Sequence, residues 1–283
     1  MTRLRWPVVA LLSLFLSAGA ACSSSSGGPA PKAKKDLAKT FKLASAHTLS
    51  VDTLRFSVLY DVSGFGQMTG EGFLDLKRGS MSMITYEPSF EPGSPPVKTE
   101  SRIVGDTFYM LGASFPPLPE GKTWIKHDLA TLGDGLGIDF GAIAEQSRNS
   151  DVRSQLSFMQ VTKSDIEELG TEEIRGTPTT HYKFTVEVAE AVKDLPPEDA
   201  ELKPFLEGLG VDEYPGEAWI DDEGLIRRIS YTINEPVDDN GTTQSTSMSQ
   251  DFFDFGAKVV VSAPPPSAVV DYEEALDQFY SSR

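Results

Sequence analysis

LRFSVLYDV, residues 54–62, carries an apolar side chain at every second position, a period of two. Leu54, Phe56, Val58, Tyr60 and Val62 fall on one face, while Arg55, Ser57 and Asp61 fall on the other. Successive side chains of a strand point to opposite sides, so the segment reads as a strand that buries one face. A helix would instead repeat its apolar residues three and four apart.

The same period continues on both sides of that strand. SGFGQMTG (63–70) supplies a turn, and a second strand runs over residues 67–76. Lys77 to Ser80 turns again into a strand at 81–86. EPSFEPGSPP (87–96) is a proline-rich loop, because proline has no N–H for a ladder. Residues 98–104 and 107–111 form a hairpin around Gly105–Asp106, and a short strand at 123–126 follows the loop FPPLPEGK (115–122). Upstream, KKDLAKTFKLASAH (34–47) has helical spacing in Leu37, Phe41, Leu43 and Ala44.

The second half repeats the plan in outline. A Gly-rich passage (133–141) precedes a helix over 150–160, a strand pair at 166–174 and 178–188, and a helix near 200–208. GEAWIDDEGLIRRISYTI (216–233) reads strand, turn, strand, with Leu225, Arg227, Ile229, Tyr231 and Ile233 on one side. DDNG (238–241) is a hairpin turn leading into a strand over 242–255. KVVVSAPPPSAVVD (258–271) is expected to close the sheet, before a tail helix at 272–280. No strand–helix alternation of the doubly wound kind is present. The fold class is therefore α+β, dominated by a long antiparallel sheet.

The N-terminus carries an address. Arg3 and Arg5 precede an apolar run from Trp6 to Leu16 and then small residues, the layout of a signal peptide over residues 1–21. Cys22, the single cysteine, stands directly after it, so it cannot be half of an internal disulfide. Ala20 and Ala21 before Cys22 resemble a bacterial lipobox, with Gly19 where leucine is usual. Acylation of Cys22 would make residues 22–34 a lipidated flexible tether, rich in Ser, Gly and Pro, and place the protein on the extracytoplasmic face of the cell membrane. Residues 35–283 would then be a single folded domain. Net charge is −17, and loss of the leader's two arginines makes it −19, which argues against nucleic acid as a partner.

Catalytic motifs are absent. His47, His127 and His181 have no metal-ligand spacing, and G-x-S-x-G does not occur. Asp221–Asp222 and Asp238–Asp239 sit at hairpin turns, where aspartate serves the local backbone. His181 falls in the polar phase of its strand and reads as a solvated surface residue. The expectation is a protein that is no enzyme, with no metal and no cofactor. What remains is apolar surface: Phe56, Val58, Tyr60, Met68, Leu74, Met81, Met83, Phe108 and Met110, with Tyr182, Phe184, Ile229 and Tyr231 from the second half. A long sheet with few helices to cover it leaves part of this face for a ligand, and methionine suits a site that adapts to variable shapes. These residues are the candidate wall of an apolar cavity.

IEELGTEEIRGTPTTHY (166–182), PGEAWIDDEGLIRRISYTI (215–233) and FFDFGAKVVVSAPP (252–265), in that order behind the lipobox and tether, resemble the LppX/LprG-type actinobacterial lipoproteins, which are similar to LolA-like carriers. The resemblance covers most of residues 35–270. It implies an antiparallel half-barrel wrapped around a few helices and enclosing an apolar cavity for the acyl chains of a lipid or glycolipid. It further implies a palmitoyl-type anchor, carriage of that lipid across the envelope or periplasm, and a membrane exporter as a partner. An envelope lipoprotein with a filled core, serving as a protein-binding scaffold or sensor, is the alternative.

Overall fold

The computed structural model describes residues 36–64, 66–89, 93–112, 118–128, 156, 159, 165–195, 203, 211–236 and 243–281. The leader, the tether with Cys22 and Asp238–Asp239 lie outside the described residues. The helices expected at 150–160 and 200–208 do too, apart from helical positions Leu156, Met159 and Lys203.

Helix α1 spans Leu37–Ser50. Asp36 caps it, its carboxylate accepting from the Lys39 backbone N–H at 3.1 Å. Phe41, Ala44, Ser45 and Thr48 are its buried residues, a stripe at helical spacing. A run of hairpins follows: β1 (Thr53–Val62), β2 (Gly66–Asp75), β3 (Ser80–Glu87), β4 (Val97–Val104), β5 (Thr107–Gly112) and β6 (Trp124–Asp128). The second run is β7 (Glu167–Ile174), β8 (Thr177–Glu187), helix α2 (Val188–Asp194), β9 (Glu213–Asp221), β10 (Ile226–Pro236) and β11 (Thr243–Phe253). A 3₁₀ turn at Pro266–Ala268 leads to β12 (Val269–Asp271) and helix α3 (Tyr272–Ser281).

All strands form one 12-stranded sheet, ordered β12-β6-β5-β4-β3-β2-β1-β11-β10-β9-β8-β7. Each run is a meander, and antiparallel pairing of β1 with β11 joins the two. Every pairing is antiparallel except β12 with β6. The fold class is α+β with an antiparallel sheet and few helices, as the alternation in residues 54–62 requires.

The main core lies between one face of the sheet and α1. Phe41 is 0% exposed and meets Tyr182 and Phe184 edge-on, with ring centroids 5.4 and 5.2 Å apart. The Ser45 hydroxyl donates to the Leu156 carbonyl, and the Thr48 hydroxyl accepts from the Ile226 N–H, so the helix's buried polar groups are paired. A small second core packs Tyr272 and Ala275 of α3 on Ile125 and Val270.

Three local expectations are corrected. Residues 258–261 add no strand: Val260 is 84% exposed, and β12 alone extends the sheet on that side. Apolar content without a partner edge does not make a strand. The chain turns helical at Val188, where the Val188 N–H donates to the Asp212 carbonyl, so the β8 strand ends one residue earlier than expected. A bulge between Ile226 and Arg228 shifts β10, so Ile226 rather than Arg227 joins the face of Ile229 and Tyr231.

Candidate functional site, the inner face of the sheet

Register assigns the face of every candidate. Tyr60 pairs with Met68 and Met248, and Met248 pairs with Tyr231. Phe56 lies between Phe252 and Gly72, and the row continues through Met83, Ser101 and Met110 to Ile125. Leu54 leads through Leu74, Met81 and Ile103 to Phe108. Val58 leads through Gln250 and Ile229 to Ala218 and Tyr182, while Tyr231 leads through Gly216 to Phe184. All of the expected wall residues therefore stand on one face, the face that carries α1.

Burial divides them. Phe56, Val58, Leu74, Met81, Tyr182, Phe184, Ile229 and Tyr231 are buried. Tyr60, Met68, Met83, Phe108 and Met110 are half-buried, and so are Met248, Ile233 and Ile103 beside them. The half-buried set lies mostly on the first meander and at the β1–β11 seam. Small residues separate these large ones on β2 to β4: Gly70, Gly72, Thr85, Thr99 and Ser101. Gly72 is forced by close approach. A Cβ there would press on the Ser82 carbonyl oxygen, 2.9 Å from the tip of the Phe56 ring and 3.1 Å from the Met83 Cα. The Phe56 ring uses the space a side chain would take.

No described strand places a lysine or arginine on this face. The charges are on the outer face instead. There Asp251 accepts from both Arg175 (3.0 Å) and Arg228, and Arg175 also donates to the Ser57 hydroxyl at 2.8 Å. Arg175 stacks on Phe253, its guanidinium carbon 4.0 Å from the ring centroid. The side-chain hydrogen bond to Asp251 raises the Arg228 pKa further, against the opposing effect of burial. This network fixes the β7–β8 hairpin across the sheet.

His181 belongs to the same layer, and its setting corrects the expectation of a solvated residue. It stacks on Trp219 at 4.2 Å and lies between Glu172 and Glu217, while the Trp219 indole N–H donates to Glu172. Asp221 serves its turn as expected, accepting from the Leu225 N–H at 2.8 Å and from Arg227. Among the described residues, no group of three or more His, Cys, Asp or Glu side chains could hold a metal ion.

Sequence reasoning missed Phe41, Met248 and Gln250. Phe41 was legible only as part of an amphipathic helix, with nothing to say which strands it would meet. Met248 and Gln250 share the inner phase with named neighbours, but β11 is mostly Ser, Thr and Gln, so its alternation is weak.

No protein-family model matches the chain. Over 189 residues it is 29% identical to a 31.2 kDa protein of Streptomyces griseus, a match spanning 63% of this chain and 58% of that one. Over 184 residues it is 27% identical to a Streptomyces coelicolor protein provisionally named a lipoprotein, spanning 62% and 52%. The chain thus matches a little over half the length of these curated relatives. Among solved structures, the Mycobacterium tuberculosis lipoprotein LppX matches 80% of this chain and 98% of its own, at 16% identity and a TM-score of 0.47.

The chain resembles LppX. The inner face described above rests on this chain's own register and burial.

Proposed function

We propose that this protein is an envelope lipoprotein that binds acyl chains of a lipid or glycolipid on the inner face of its sheet and carries that lipid across the envelope. The observation that carries the proposal is the half-buried set Tyr60, Met68, Met83, Phe108 and Met110, which shares its face of the sheet with the core and includes no lysine or arginine. Apolar surface in contact with water is costly, at about 25 cal/mol per Å², so such a face favours an apolar occupant. Unbranched methionines on it let the wall adapt to chains of different shape. In this reading Cys22 is acylated after removal of residues 1–21, residues 22–34 form the tether, and residues 35–283 form the lipid-binding domain. The anchored protein sits on the extracytoplasmic face of the cell membrane, where a membrane exporter would be its partner. The domain performs no catalysis and needs no cofactor.

A second reading, a scaffold or sensor with a filled core, draws on one observation: α1 already packs Phe41 over Tyr182 and Phe184. The two readings part in a transfer assay. A carrier accelerates movement of a pyrene-labelled diacyl lipid from donor to acceptor vesicles. A variant with a charge on the half-buried wall, Met83→Glu, loses that acceleration. Wild-type protein that leaves the transfer rate at its spontaneous value would refute the carrier reading.

A further inference from the structure

Two polar atoms on the inner face have no partner. The Tyr231 hydroxyl and the Gln250 side-chain oxygen are both buried without a hydrogen bond, in residues 6% and 2% exposed. Gln250 pairs with Val58 and Ile229, and Tyr231 pairs with Met248 and Gly216, so the two are diagonal neighbours on adjacent strands of one face. Buried polar groups are nearly always satisfied, and leaving one unmade is costlier than having an apolar group in its place.

The Tyr231 ring is also held in position. Phe184 and Tyr214 meet it edge-on at 5.9 and 5.6 Å, and Gly216 beneath it has no side chain to displace it. Burial, with a smaller contribution from Tyr214, pushes the Tyr231 hydroxyl well above its ordinary pKa, so it stays a donor. The free atoms are one donor and one acceptor. A single hydroxyl can accept from the first and donate to the second. No described strand sets a lysine or arginine on this face, so the pair matches a neutral group rather than an anion.

We propose that Tyr231 and Gln250 form a polar subsite within the apolar inner face that takes a neutral hydroxyl carried on the ligand's chain. The proposal rests on the acyl-binding reading above and names what that site selects.

The test measures displacement of N-phenyl-1-naphthylamine from the intact, unacylated chain by methyl stearate and by its 10- and 12-hydroxy derivatives. Wild type, Tyr231→Phe and Gln250→Met are compared. Either substitution is expected to weaken a hydroxylated ester about tenfold, the scale of one hydrogen bond, while methyl stearate changes less than twofold. An unchanged ratio of hydroxylated to plain ester across the three proteins would overturn the subsite, with acyl binding left standing. Failure of every ester to displace the dye would overturn the acyl-binding reading, and the subsite with it. Both variants should melt no lower than wild type, since each removes an unsatisfied atom. A lower melting temperature in both would show that the atoms are paired within the fold, and would also overturn the proposal.

Discussion

Phe41→Ala should separate α1 from the sheet in energetic terms. Phe41 is fully buried and packs edge-on against both Tyr182 and Phe184, so its removal opens a cavity between helix and strands. Truncating a buried phenylalanine costs about 3–5 kcal/mol, which includes transfer of the ring and the void left behind. Each edge-to-face aromatic pair adds about 0.5–1.5 kcal/mol beyond its area, and loss of both places Phe41 toward the top of that range. For a domain of this size each kcal/mol moves the melting temperature by about 2–4 °C, so a fall of about 10–15 °C is expected. The control is Leu43→Ala on the same helix, 58% exposed, which should stay within about 0.5 kcal/mol. Urea denaturation followed by tryptophan fluorescence and by far-UV circular dichroism reads both variants. A loss below about 1 kcal/mol for Phe41→Ala would refute the role of α1 as the cover of the inner face, because no well-packed buried ring costs so little.

Gly72→Ala should destabilise by at least about 1–3 kcal/mol, the usual cost of overpacking, because the new methyl group meets the Ser82 carbonyl and the Phe56 ring; a neutral result in thermal melts would mean that β2 and β3 are spaced more widely. Asp75 gives an acid dependence. Burial tends to raise its pKa, but hydrogen bonds from the Arg78 side chain and backbone, together with the Arg78 charge, lower it overall. A lowered folded-state value means that its stabilising contribution is complete above the ordinary carboxylate range and is lost as pH falls below about 4. Asp75→Asn should therefore flatten the acid limb of a stability-against-pH curve and leave its neutral part parallel to wild type; an unchanged acid limb would contradict the pairing. Cys22→Ala should move the protein from the membrane fraction to the soluble envelope fraction, and continued sedimentation with membranes would exclude acylation at that residue.

The parts of the fold that were legible in the sequence are those where one chemical rule acts alone. In residues 54–62 each even position is apolar and every odd one except Leu59 is polar, so strand, face and phase follow together, and pairing with β2 and β3 extends the phase to Leu74 and Met81. Tyr182, Phe184, Ile229 and Tyr231 lie far from β1 in sequence, yet they join the same face because alternation fixes phase within each strand. Legibility ends where a second residue has to be known. Arg227 kept the alternation on paper, but a bulge set it on the outer face, where it reaches Asp221. Residues 258–261 have the composition of a strand and lack a partner. His181 was placed in the right phase and the wrong environment, since only the folded chain sets it against Trp219 and between two glutamates. Gln250 looks like an outward residue in a Ser- and Thr-rich strand, and its inward position is clear only from pairing with Val58 and Ile229.

The central claim is that the inner face holds lipid. Native mass spectrometry of the intact protein, purified from its own host without exposure to organic solvent, measures this directly. A lipid-loaded species should be present, its excess mass removed by chloroform–methanol extraction and recovered in the organic phase as an acyl-bearing compound. A single species at the mass of the polypeptide and its anchor, unchanged by extraction, would contradict the account.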